Sequence, residues 1–219
     1  MSATAKRLQL CLALVALSTS LLAVRIWGSG TITYAFLLWN VGLAAVPTAV
    51  ALALRALVSA RRRAAALGAF AVWLCFLPNA PYIVTDFVHL QFRAPIPVWY
   101  DAALLAAFAV AGLVLGYASV AEVRSALADE FGERVASLVA FGSLFLCGFG
   151  VYVGRFLRWN SWDIVTDPLP LARVVAHGLL DPLGHPTGLA ISVAYGLALM
   201  VGYTLLRRAA SPLVVDGQQ

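Results

Sequence analysis

Ala64-Ala65-Ala66-Leu67-Gly68-Ala69-Phe70-Ala71-Val72-Trp73-Leu74-Cys75-Phe76-Leu77-Pro78-Asn79-Ala80-Pro81-Tyr82-Ile83-Val84-Thr85 reads as a membrane crossing that is interrupted before it ends. A helix needs roughly 20 apolar residues to cross about 30 Å of hydrocarbon. From Ala64 only 14 residues precede Pro78, about 21 Å at about 1.5 Å per residue. Leu77 to Pro81 is therefore expected inside the bilayer. Pro78 and Pro81 lack a backbone N–H and disfavour helix at the residue before them. Broken backbone at that depth is tolerated only against protein or a water-filled cavity.

Outward from this stretch, five more apolar runs of crossing length appear: Leu8 to Val24, Ile32 to Leu54, Trp99 to Val120, Val135 to Val153 and Gly188 to Leu206. The chain is 62% hydrophobic and 11% charged, with a mean hydropathy of +0.89; soluble domains carry about 25% charged residues. These numbers exclude an ordinary soluble enzyme. Six spans and short connections use nearly all 219 residues, so we expect an all-α polytopic bundle as a single domain over 1–219. The first span follows Lys6 and Arg7 and also fits a signal peptide. Retention is favoured, because an even number of spans agrees with the charge pattern.

Lys6, Arg7, Arg55, Arg61, Arg62, Arg63, Arg124, Arg134, Arg207 and Arg208 fall on one side of such a bundle. Arg25, Arg93, Arg155, Arg158 and Arg173 fall on the other. Cytoplasmic loops carry the excess of Lys and Arg, so both termini are expected in the cytoplasm. A net charge of +5 invites a nucleic-acid reading, but Arg61-Arg62-Arg63 at a span mouth suits topology and anionic lipid instead. Membrane lipids, not nucleic acid, are the expected partners. Cys11, Cys75 and Cys147 lie within spans without metal-type spacing, which gives neither a disulfide nor a zinc site.

Within the spans, Gly112-x-x-x-Gly116 and Gly150-x-x-x-Gly154 have the small-residue spacing of close helix seams. Pro47 is expected to kink the second span, and Asn40, its one amide, to bond across helices.

Two polar clusters abut the spans on the expected outer face. If helix resumes at Pro81, a favoured first-turn position, Tyr82, Asp86, His89 and Arg93 share one face. An Asp and a His on neighbouring turns suit metal ligation or proton transfer; the competing reading is an interfacial ion pair or helix cap. Extending the fifth span as helix puts Arg155, Arg158, Trp159 and Trp162 on one face with Asp163 near its edge. Two guanidiniums flanked by tryptophans suit a phosphate or carboxylate at the membrane surface, against the alternative of snorkelling arginines in an aromatic belt. Asp101, just inside the fourth span, needs a partner, and Arg155 or Arg158 is the expected one. The Leu- and Val-rich stretch from Ile164 to Pro186 reads as a helix lying on the membrane surface. Its His177, Asp181 and His185 are not assigned to a site.

Phe76-Leu77-Pro78-Asn79-Ala80-Pro81-Tyr82-Ile83-Val84-Thr85-Asp86 with His89-Leu90, Pro97-Val98-Trp99-Tyr100-Asp101, and Gly154-Arg155-Phe156-Leu157-Arg158-Trp159-Asn160-Ser161-Trp162-Asp163 together resemble domain of unknown function family 1361. The resemblance runs from about the second span to the end of the sixth. It implies a multi-pass protein of the bacterial inner membrane, and brings no activity, cofactor or catalytic residue with it.

Three functions of different classes fit these residues. The first is an outward-facing site that acts on or binds an anionic lipid or lipid-linked substrate. Asp86, His89 and Asp101 are its candidate catalytic residues; Asn79, Tyr82, Arg155, Arg158, Trp159, Asn160, Trp162 and Asp163 are its candidate binding residues, with no metal and no cofactor assigned. The second is a transporter or channel lined by the broken span. The third is an assembly partner that docks another membrane protein on its Trp-rich face. No Gly-x-Ser-x-Gly elbow and no His-Glu-x-x-His is present.

Overall fold

Hydrocarbon offers no hydrogen bonds, so each apolar stretch closes its backbone bonds within itself as a helix. The computed structural model describes residues 2–181 and 183–210; residues 211–219, read with the same domain, lie outside them. The elements are α1 (Ala3–Ser29), α2 (Phe36–Ser59), α3 (Arg63–Phe76), α4 (Asn79–Tyr82), a 3₁₀ segment (Ile83–His89), α5 (Val98–Phe131), α6 (Glu133–Arg155), α7 (Asp163–Thr166), α8 (Pro168–Leu180) and α9 (Pro186–Ala210). Among the described residues six helical stretches are long and apolar enough to cross a membrane, with Arg63–His89 counted as one.

Local chemistry sets the boundaries. The Ser2 hydroxyl accepts from the Ala5 amide at 3.1 Å and opens α1, as an N-cap should. Gly30, with φ of 66°, closes it in the left-handed conformation. Gly132 at φ 83° separates α5 from α6. Pro168 and Pro186 start their helices, where the missing N–H costs nothing. α2 runs through Pro47 without interruption.

At Pro78 the chain keeps helical dihedrals (Leu77 φ −53°, ψ −40°; Pro78 φ −60°, ψ −22°) while regular α-helix ends at Phe76. The winding then tightens into α4 and the 3₁₀ segment. Both glycine seams face this segment. A Cβ on Gly112 would meet the Ala80 carbonyl oxygen at 2.5 Å, one on Gly116 the Ala80 Cβ at 2.9 Å, and one on Gly150 the Pro78 Cβ at 2.8 Å. Glycine at these positions lets α5 and α6 close on the segment from two sides. α9 packs along α6 in the same way, with Gly148 against the Gly196 backbone nitrogen.

α5 is the centre of the bundle and contacts α1, α2, α4, the 3₁₀ segment and α6. Leu104, Leu105, Phe108 and Leu115 point from it into one half of the core, with Leu22, Leu37 and Ile83. Val120, Val123 and Ala126 point into the other half, with Trp73, Leu77 and Leu144.

α5 also carries two buried carboxylates. Arg25 of α1 pairs with Asp101, Nε to Oδ1 at 3.0 Å and Nη2 to Oδ2 at 3.3 Å, with side chains 1% and 0% exposed. The remaining Arg25 nitrogen donates to Ser29 and Thr31, and the guanidinium lies 4.7 Å from the Tyr34 ring centroid. At the opposite end Glu122 accepts from Arg7 at 2.7 Å, Arg55 at 2.6 Å and Thr4 at 3.0 Å. Arg25 is thus no loop charge, and it is Arg25, not Arg155 or Arg158, that neutralises Asp101. A pairing between residues 76 positions apart becomes visible only when α1 and α5 lie side by side.

Removing one member of a buried pair strands the other, at about 3–5 kcal/mol. Arg25→Ala is therefore expected to lower thermal stability in detergent sharply, and Arg25→Met with Asp101→Leu to recover most of the loss. Equal losses in the single and double variants would show that the pair holds nothing.

Candidate functional site

A cavity of about 590 Å³ lies between α2, the end of α3, α4, α6 and the α7–α8 segment. Leu43, Leu146, Phe149, Val153, Leu171 and Val175 give most of its wall an apolar character. Polar groups gather around Asn40, Asn79, Tyr82, Asn160 and Ser161. Asn79 Nδ2 donates to the Phe76 carbonyl at 2.9 Å and to Ser161 Oγ at 2.8 Å, and Ser161 donates to the Cys75 carbonyl at 3.3 Å. These bonds stitch the loop after α6 to the irregular end of α3. Trp39 and Trp162 meet edge to face across the same opening, with ring centroids 6.3 Å apart.

Of the residues expected from sequence, Asn79, Tyr82, Trp159, Asn160 and Trp162 line this cavity. Arg155 stands behind Tyr82: its Nη1 donates to the Tyr82 hydroxyl at 3.4 Å and its guanidinium lies 5.9 Å from that ring centroid. Among the described residues no carboxylate lies within ion-pair distance of Arg155. Asp86 is buried at 1% exposure and accepts from Asn40 at 2.8 Å, so it touches the cavity wall only through that amide. His89 is exposed, with its ring edge-on to Phe36 at 5.1 Å, and makes neither hydrogen bond nor ion pair with Asp86. Asp101 lies with Arg25, away from the cavity lining.

Two expected stripes do not form. Tyr82, Asp86, His89 and Arg93 form no single stripe: the chain winds as 3₁₀ from Ile83, with about three residues per turn, so the spacings of four no longer stack, and Arg93 lies beyond the segment, which ends at His89. Arg155, Arg158, Trp159 and Trp162 diverge because α6 ends at Arg155 and Arg158 takes φ of 60°. That turn leaves Arg158 exposed and brings Trp159 and Asn160 back over the cavity. Asp163 serves as a local brace: its carboxylate accepts from the Asn160 amide at 2.6 Å and from Thr166 Oγ1 at 3.3 Å.

Sequence reasoning missed Trp39, Ser161 and the α8 wall. Leu171, Ala172 and Val175 of α8 line the 590 Å³ cavity; Val174, His177 and Gly178 line a second one of about 320 Å³, against α6 and α9. Leu146 and Phe149 belong to both. A Cβ on Gly178 would meet the Phe149 ring at 2.9 Å. The stretch after Ile164 is thus helical as expected, and it also serves as a cavity wall.

Near Asp101, Tyr34 donates to the His89 carbonyl at 3.1 Å. Burial, and after it the Asp101 charge, push the Tyr34 hydroxyl above its ordinary range, so it remains a neutral donor. Among the described residues no three of His, Cys, Asp and Glu gather to hold a metal ion.

A family model described as "Protein of unknown function (DUF1361)" matches residues 39–201. The chain belongs to the DUF1361 family. The match takes in every cavity-lining residue named above, and leaves out α1 with Arg25. No curated protein and no solved structure matches the chain.

Asn40 anchors Asp86, so Asn40→Leu leaves a buried carboxylate without its donor. It is expected to cost about 1–3 kcal/mol in chemical denaturation, and Asn40→Leu with Asp86→Leu to cost less than Asn40→Leu alone. A double variant worse than both singles would mean that Asp86 has another role in holding the fold.

Proposed function

We propose that this protein binds an anionic lipid or lipid-linked amphiphile in the 590 Å³ cavity, which opens on the outer face of a bacterial inner membrane. The observation that carries this reading is the division of the wall into an apolar part and a polar rim, with a guanidinium beside the rim that makes no close ion pair among the described residues. Apolar pockets with a few convergent polar groups are the ordinary form of a small-molecule site. Leu43, Leu146, Phe149, Leu171 and Val175 take the chain; Asn79, Asn160, Ser161 and Tyr82 meet the head; Arg155 supplies the positive field.

Binding suits these residues better than catalysis does. Asp101 is committed to Arg25 and His89 lies outside the cavity lining, while Asp86 meets the wall only by holding Asn40. Asp86 is then a positioning residue for the rim. The arginine excess at the Thr4, Arg55 and Glu122 end supports cytoplasmic termini, and with them a cavity that opens on the outer side.

Ala172→Trp puts an indole into the cavity from an exposed helix position. It is expected to reduce phospholipid co-purified with the protein about tenfold while leaving thermal stability within about 1 kcal/mol, as surface changes usually do. Arg155→Gln is expected to weaken phosphatidic acid about tenfold relative to diacylglycerol, the loss of one charged hydrogen bond. Unchanged lipid retention in both variants would defeat the reading. For orientation, in a cysteine-free background, Gln91→Cys should react in intact cells with an impermeant maleimide and Asp129→Cys should not. The reverse pattern would invert the topology.

A further inference from the structure

The polar rim has a fixed sense of donors and acceptors. Asn40 gives its Nδ2 to the Asp86 carboxylate, and Asn79 gives its Nδ2 to the Phe76 carbonyl and Ser161. An ionised carboxylate and a backbone carbonyl can only accept. Neither amide can be turned over without losing these bonds, so the hydrogen-bond network itself assigns the oxygens. Among the described residues no protein donor reaches either Oδ1, and neither is among the buried atoms that lack a partner. Both therefore open onto free space, and both residues line the cavity. Asn160 repeats the arrangement more loosely, its Nδ2 directed to Asp163 at 3.4 Å.

Backbone adds to these acceptors. Pro47 and Pro78 have no N–H for the carbonyls four residues earlier, those of Leu43 and Leu74, which frees two carbonyls on residues whose side chains or backbone border the same cavity. Donors are present as well. The Tyr82 hydroxyl accepts from Arg155 and keeps its own proton to give, and the indole N–H groups of Trp159 and Trp162 meet no protein acceptor among the described residues.

A phosphate can only accept, an ammonium can only donate, and a hydroxyl does both. Tryptophan faces also favour the C–H face of a sugar ring, an apolar surface with a wet edge like their own. We infer that the head of the bound amphiphile is a sugar or related polyol, joined to its chain through the negative group that Arg155 attracts. This inference rests on the lipid-binding reading above and names the chemistry of the head.

The test uses delipidated full-length protein in detergent, titrated by native mass spectrometry with three lipids of identical acyl chains. Phosphatidic acid has no head beyond its phosphate, phosphatidylethanolamine has an ammonium head, and phosphatidylinositol has a polyol head. Phosphatidylinositol is expected to bind about tenfold tighter than either of the others, the worth of one or two added hydrogen bonds. Asn79→Ala should bring the three within about threefold of one another, and Asn160→Ala, at an exposed position, should do so in part even if the first variant folds poorly. Equal binding of the three lipids by the wild type, or preference for phosphatidylethanolamine, overturns the polyol head and leaves lipid binding standing. Binding of none of them overturns both.

Discussion

A carboxylate inside a bundle that faces hydrocarbon is stable only if a partner comes with it, and α5 carries two. Asp101 and Glu122 lie 21 positions apart on one helix, about 32 Å along its axis at 1.5 Å per residue, so they mark opposite ends of the membrane-crossing part. α1 answers both, with Arg25 at one end and Thr4 and Arg7 at the other. Two such ties at opposite ends fix the register of α1 along α5 as well as its contact. Arg55 brings α2 into the second tie. The core clusters then fill the space these pairs have already aligned.

The cavity exists because of what happens in the third crossing. The long helix of this crossing ends at Phe76, just before Pro78, and glycines on α5 and α6 let the tightened segment sit deep between those helices. Its polar backbone thus faces protein, as a lipid environment requires. Its Asn79 side chain then reaches across to the loop after α6, so that the interruption and the cavity rim are one structure.

Much of this was readable from the chain. Six spans followed from runs of apolar residues, and both glycine seams from their spacing. Asn40 was readable as a cross-helix amide, although its acceptor, Asp86, was not. What escaped was whatever depended on winding or on distant neighbours. The Tyr82 to Arg93 stripe assumed 3.6 residues per turn where the chain uses about three. The Arg155 to Trp162 stripe assumed that helix continues, and nothing in Phe156-Leu157-Arg158 announces a non-glycine residue at φ 60°. Arg25 read as an outer-side charge just past the first span, and its partner lay on a helix three crossings away.

α8 differs from the rest of the frame. It joins no span by ion pair or side-chain hydrogen bond among the described residues, and meets α6 through Phe149 against Gly178. Contacts of that kind yield at low cost, and regions with few of them open locally long before the whole protein unfolds. The wall that α8 forms is thus held by packing alone, while the spans are also tied by ion pairs. For the amphiphile proposed above, the residence time would then be a property of a thirteen-residue helix, separable from the stability of the bundle that carries it.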